Sequence, residues 1–92
     1  MNKEELITRI SSKSGVVKKD TLNIFNAMAA IIKDSVAAGE KVQIIGFGTF
    51  EVRIRKERTG HNPATGEEIA IPEKKIPAFK PSKEFKELVN RK

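Results

Sequence analysis

Gly46-Phe47-Gly48-Thr49-Phe50-Glu51-Val52-Arg53-Ile54-Arg55-Lys56-Glu57-Arg58-Thr59-Gly60-His61-Asn62-Pro63-Ala64-Thr65-Gly66 changes character midway. Phe50, Val52 and Ile54 alternate with Glu51, Arg53 and Arg55, so a strand here has one apolar and one charged face. The alternation stops at Lys56. The eleven residues from there to Gly66 supply Arg58, His61, Asn62 and Pro63 with almost no apolar content. This pattern predicts a strand that leaves its own core as an exposed arm, with a proline at the tip.

Before this stretch, Val42 and Ile44 point one way and Gln43 and Ile45 the other, and Gly46-Phe47-Gly48 suits a tight reversal with Phe47 turned inward. The Gly-x-Gly pair is a weak match to a dinucleotide loop, since no third glycine or following helix accompanies it. Two helices are expected first. Asn2 caps the first, with Glu5 completing a capping box, Leu6, Ile7 and Ile10 as its apolar face and Gly15 as terminator. The second runs from about Lys18 to Ala38 and stops at Gly39. Its Leu22, Phe25, Ala29, Ile32 and Val36 form a seam spaced by three and four, and Ile24, Met28 and Ile31 form a second stripe. One short neighbouring helix can hardly cover both stripes, which favours a dimer.

After the arm, Asn62-Pro63-Ala64-Thr65-Gly66 has turn chemistry, and Ile69 with Ile71 suggests a returning strand. Pro72 ends or kinks that strand. Lys74 to Phe79 can pair back onto the sheet, with Pro77 confined to an edge or bulge. Ser82 caps a short last helix in which Phe85, Leu88 and Val89 share a face. The expected class is α+β, one domain over residues 1–92, without an internal repeat.

Ninety-two residues without cysteine, and with His61 as the one histidine, exclude disulfides, thiolate metal sites and a zinc site built by this chain alone. Extra stability must come from packing, to which a second copy of the chain can add. The start, Met1-Asn2-Lys3-Glu4-Glu5, carries charge where a signal peptide needs an apolar run, and no apolar run approaches the ~20 residues of a membrane span. A soluble cytoplasmic protein with no membrane partner is expected. Net charge is +6, and it is uneven: residues 1–52 hold 7 Lys/Arg against 6 Asp/Glu, residues 53–92 hold 11 against 6. The basic second half with its arm points to nucleic acid. Glu4-Glu5 and Glu67-Glu68 are adjacent carboxylates whose side chains point apart, and no spaced nucleophile and base occurs, so no catalytic site or cofactor is expected.

Gly46-Phe47, Phe50, Arg55, Arg58, Gly60 and Asn62-Pro63-x-Thr65 together resemble the signature of the bacterial histone-like DNA-binding family, HU and integration host factor, and the likeness extends along all 92 residues. Asn2-Lys3-x-Glu5-Leu6-Ile7 and Pro77-Ala78-Phe79 are similar to the HU branch. The resemblance implies an intertwined homodimer: a helical base (residues 1–45 with the first strand), a curved antiparallel saddle with two β-ribbon arms (46–81), and a C-terminal helix (82–92). It implies that the arms lie in the minor groove of duplex DNA and that Pro63 wedges between base pairs. Arg53, Arg55, Arg58, His61 and Asn62 are the expected arm contacts, and Lys3, Lys80, Lys83 and Lys86 contact the flanks of the bent duplex.

Each role has a plainer counterpart. Pro63 can be an ordinary turn proline. Arg53 and Arg55 can form a solvated face paired with Glu51 and Glu57, and Lys83 and Lys86 can simply decorate the last helix. Phe47, Phe50 and Phe79 read as core rather than as platforms for bases. Two positions depart from the family pattern. His61 stands where many relatives carry arginine, and Val17 stands where a serine often caps the long helix.

The expected function is non-enzymatic: a nucleoid-associated homodimer that binds duplex DNA with little sequence preference, bends or compacts it, and prefers bent, nicked or gapped DNA. A sequence-specific bender of the integration host factor type is the nearest rival. An RNA-binding protein is a second, weakened by the lack of exposed stacking aromatics, with some RNA binding beside DNA still open.

Overall fold

The computed structural model describes residues 1–91. Chain contacts divide it into two compact units, Met1–Asp34 and Ser35–Lys92.

The first unit holds α1 (Lys3–Ser14) and most of α2 (Lys18–Ala37). Asn2 caps α1 as expected: its Oδ1 accepts from the Glu5 amide at 2.9 Å, and Glu4 and Glu5 face the positive end of the helix dipole. Gly15 closes the helix by donating to the Ser11 carbonyl. The connection to α2 is tied by hydroxyls. Ser11 Oγ donates to the Val16 carbonyl, and the buried Thr21 donates to the carbonyls of Val16 and Val17.

Thr21 N donates to the Val17 carbonyl, which places Val17 at the N-cap of α2 with no side-chain oxygen to offer. Val17 is exposed, so a serine there adds an acceptor without removing buried apolar area. Val17→Ser is expected to stabilise by about 1 kcal/mol. Thermal melting would show a rise of a few degrees, and an unchanged midpoint would deny the missing cap.

The α2 seam and stripe separate except at Leu22, a seam residue that is 40% exposed. Phe25, Ala29 and Ile32 are half-buried and Val36 is buried, whereas Ile24 and Ile31 are each 63% exposed and Met28 is 44% exposed. Among the described residues, Ile7 and Val36 are the two buried hydrophobic side chains, and Ile7 alone is fully buried.

In the second unit α2 ends one residue before the expected Ala38. Gly39 (φ 86°) donates to the Val36 carbonyl and Glu40 to that of Ser35, a Schellman closure that needs a left-handed residue at Gly39. β1 (Val42–Ile44) and β2 (Gly48–Arg55) then form a hairpin, with Val42 opposite Phe50 and Ile44 opposite Gly48. The Phe47 amide donates to the Ile44 carbonyl, and Gly46 supplies the positive φ (83°) at the third turn position.

β5 (Lys74–Pro81) completes an antiparallel sheet of order β1-β2-β5. Pro77 sits opposite Val52 on this edge strand, where its missing N–H breaks no interior ladder. Phe47, Phe50, Phe79 and Phe85 cluster at ring-centroid separations of 4.9–6.4 Å. Ser82 Oγ caps α3 (Lys83–Val89) by accepting from the Phe85 amide. Of the face expected on α3, Phe85 packs into the cluster while Leu88 and Val89 are exposed.

The arm is more regular than its composition suggests. β3 (Arg58–His61) pairs with β4 (Glu68–Ile71) as a separate two-stranded ribbon, Arg58 opposite Ile71 and His61 opposite Glu68. The β2·β5 ladder stops at Arg55 opposite Lys74, and β3·β4 resumes in the same register beyond Lys56-Glu57 and Pro72-Glu73. Pro72 lacks the N–H that a continuous ladder would use. The family resemblance anticipates a ribbon. Residue pattern alone gives the returning strand at Ile69 and Ile71 but not β3, because Arg58-Thr59-Gly60-His61 has no apolar alternation.

Candidate nucleic-acid interface

Strand alternation puts Thr49, Glu51, Arg53 and Arg55 on one face of β2, and the register places Lys80, Ala78, Ile76 and Lys74 opposite them in that order. Arg53, Arg55, Lys74 and Lys80 therefore share a face, and all four are exposed. Arg55 lies directly opposite Lys74, a like-charge pair that disfavours the sheet by a few tenths of a kcal/mol and that an anion between them would relieve. Among the described residues the one ion pair within 4.0 Å is Lys83–Glu87, between exposed side chains. The pairing of Arg53 and Arg55 with Glu51 and Glu57 does not form.

Lys74 was not among the expected contacts. The Lys74-Lys75 doublet is visible in the sequence, but long-range register decides which of the two joins the arginines. Lys75 falls opposite Ile54 on the apolar face. Lys80, Lys83 and Lys86 come together around an open groove that Gln43 and Thr49 also line.

Lys3 is different. Its Nζ donates to Asn26 Oδ1 at 2.7 Å and lies 5.8 Å from the centre of the Phe25 ring, so it ties α1 to α2 within the first unit.

On the arm, Arg58 shares its face with Gly60, Ile69 and Ile71, while His61 shares the other with Thr59, Ala70 and Glu68. Arg58 and His61 thus point to opposite sides. Gly60 leaves room for its neighbour: a Cβ there would lie 2.9 Å from Ile71 Cδ1. At the tip Pro63 is exposed and Asn62 half-buried. The Asn62 amide donates to the Glu67 carbonyl, the Asn62 carbonyl accepts from Gly66 N, and Asn62 Oδ1 accepts from Ala64 N. Thr65 Oγ1 accepts from Glu67 N.

No cluster of three His, Asp or Glu side chains able to hold a metal occurs among the described residues, and no described helix is long and apolar enough to cross a membrane. The arrangement is a cationic strand face continued by a thin ribbon with an exposed rigid ring at its end. Such a surface can hold phosphates and insert into a groove.

Comparison with known proteins agrees with this geometry. The family model described as Bacterial DNA-binding protein matches residues 1–90. DNA-binding protein HU of Geobacillus stearothermophilus is 51% identical over 89 residues, covering 97% of this chain and 99% of the relative. A prophage-derived DNA-binding protein HU 2 of Bacillus subtilis is 51% identical over 92 residues, covering both chains in full. Among solved structures, an Anabaena HU–DNA cocrystal structure superposes with a TM-score of 0.90 at 41% identity over all of both chains. HU from Thermotoga maritima gives 0.68 at 38% identity, over 97% of this chain and 98% of that one. The α+β fold with its antiparallel sheets is the HU fold, and these are DNA-binding rather than catalytic proteins. The chain belongs to the bacterial DNA-binding protein family of which the HU proteins are members.

Proposed function

We propose that this protein is a histone-like DNA-bending homodimer of the bacterial nucleoid, acting on duplex DNA with little sequence preference. The observation that carries the reading is the arm itself. β2·β5 continues in register into β3·β4, so an exposed Pro63 is held at the end of a ribbon whose base carries Arg53, Arg55 and Lys74 without a carboxylate partner. Phosphates bind the cationic face and release counterions, a term indifferent to sequence. Arg58, His61 and Asn62 accompany Pro63 into the minor groove, where the pyrrolidine ring replaces a stacking contact. Minor-groove architectural proteins, this family among them, kink duplexes by ~20–90° in this way. Bending brings the flanks toward Lys80, Lys83 and Lys86.

Dimerisation is supported by the exposed stripe Ile24, Met28 and Ile31 and by a buried hydrophobic set of Ile7 and Val36 among the described residues, too small a core for a stable chain of this length. A second copy covers the stripe and supplies the second arm.

A gel-shift titration on a nicked duplex and its intact twin at one salt concentration tests the reading. Bending a site of this kind costs on the order of 1–6 kcal/mol, part of which a nick removes. At least tenfold tighter binding to the nicked duplex is expected, about 1.4 kcal/mol. Equal affinity would leave a basic surface and remove the bending.

A further inference from the structure

We infer that Asn62 is the positioning residue of the arm tip, and that its side-chain carbonyl presents Pro63 rather than reading the nucleic acid. The inference rests on the wedge reading of Pro63 and adds what holds the wedge. Pro63 has no N–H, so it cannot contribute a donor to fold the tip loop. Asn62 supplies three bonds instead. Its amide meets the Glu67 carbonyl at 2.8 Å, its carbonyl meets Gly66 N at 2.7 Å, and its Oδ1 meets Ala64 N at 2.9 Å. Pro63 is thus bracketed, with the residue before it bonded to the residues one, three and four positions after it.

The chemistry needs a short side chain with an acceptor. Asn and Asp reach the amide two residues on, and Ser does so more weakly. Alanine has no acceptor. Asn62 is half-buried at a tip where residues 63–68 are all exposed, as a structural hinge-pin would be. A ring that unstacks bases must arrive already oriented, because a loose loop would have to be ordered at the moment of insertion.

The test compares Asn62→Ala, Asn62→Asp and Asn62→Ser with the unaltered protein by two readouts. In the DNA-free protein, the temperature dependence of the Ala64 amide proton shift reports its hydrogen bond. On an intact duplex at saturating protein, energy transfer between the ends reports bending, whatever the affinity.

Asn62→Ala is expected to give Ala64 the steep temperature dependence of a solvent-exposed amide and to lose at least half of the energy-transfer change. Asn62→Asp and Asn62→Ser keep an oxygen and are expected to recover most of both. An Ala64 amide unaffected by Asn62→Ala would overturn the inference. So would Asp and Ser variants that bend no better than the alanine one, since the side-chain NH2, which both lack, would then be the working group. Failure of the wedge reading looks different: Pro63→Ala would bend DNA fully while the Ala64 amide still depended on Asn62.

Discussion

Gly48→Ala is expected to destabilise the protein by about 3 kcal/mol, the upper end of what overpacking a core usually costs. Gly48 opens β2, is buried, and lies opposite Pro81 on one side and Ile44 on the other. A Cβ on Gly48 would lie 2.5 Å from Phe79 Cζ and 2.6 Å from the Lys80 carbonyl oxygen. The second contact is with backbone, so rotating a side chain cannot relieve it. The first is with a ring that packs against Phe47 at 5.2 Å and Phe50 at 4.9 Å. Either strand β5 moves away from β2 or the aromatic cluster opens, and the cluster is the main apolar packing of the sheet with α3. For a domain of this size, 3 kcal/mol lowers the melting midpoint by roughly 12–24 °C. A midpoint within a few degrees of the unaltered protein would mean that β2 and β5 do not approach this closely at Gly48.

The second large effect is on binding. Replacing Arg53, Arg55 and Arg58 together by alanine is expected to weaken duplex binding at least 100-fold near 0.1 M salt and to flatten its salt dependence. Each phosphate contact contributes about 0.9 to the slope of log affinity against log salt, so three arginines meeting phosphates account for a change of roughly 3 per chain, or roughly 5 in the proposed homodimer. Stability should not fall. The three side chains are exposed, and removing Arg55 relieves its repulsion with Lys74. An unchanged slope would show that these arginines are a solvated face after all. A collapsed melting midpoint would show that they hold the sheet.

The parts of the fold that depend on neighbours in sequence were legible. Asn2, Gly15, Gly39 and Ser82 act at helix ends through bonds spanning a few residues, so residue type and spacing located them. The hairpin at Gly46 and the edge position of Pro77 follow from backbone chemistry in the same way. What escaped depends on register. β3 contains Gly60 where an apolar residue would signal a strand, and it is a strand because Glu68–Ile71 pairs with it and Ile71 fills the space over Gly60. Lys74 joins Arg55 only because of a pairing across eighteen intervening residues. Lys3 carries no hint of Asn26, and the turn chemistry read at Asn62 does not show which bonds it makes to Ala64, Gly66 and Glu67. The candidate site was therefore legible as a set of residue types, and the register that sorts those residues onto faces was not.

The central claim is that Pro63 bends DNA, and energy transfer across an intact duplex measures that with Pro63→Ala beside the unaltered protein, both at saturation. The expected result is a large rise in transfer for the unaltered protein and its near loss in the variant. Affinity should fall by no more than about tenfold, because phosphate contacts carry most of it. Equal transfer from both proteins would contradict the wedge, and the arm would then be a cationic clasp around DNA bent by other means.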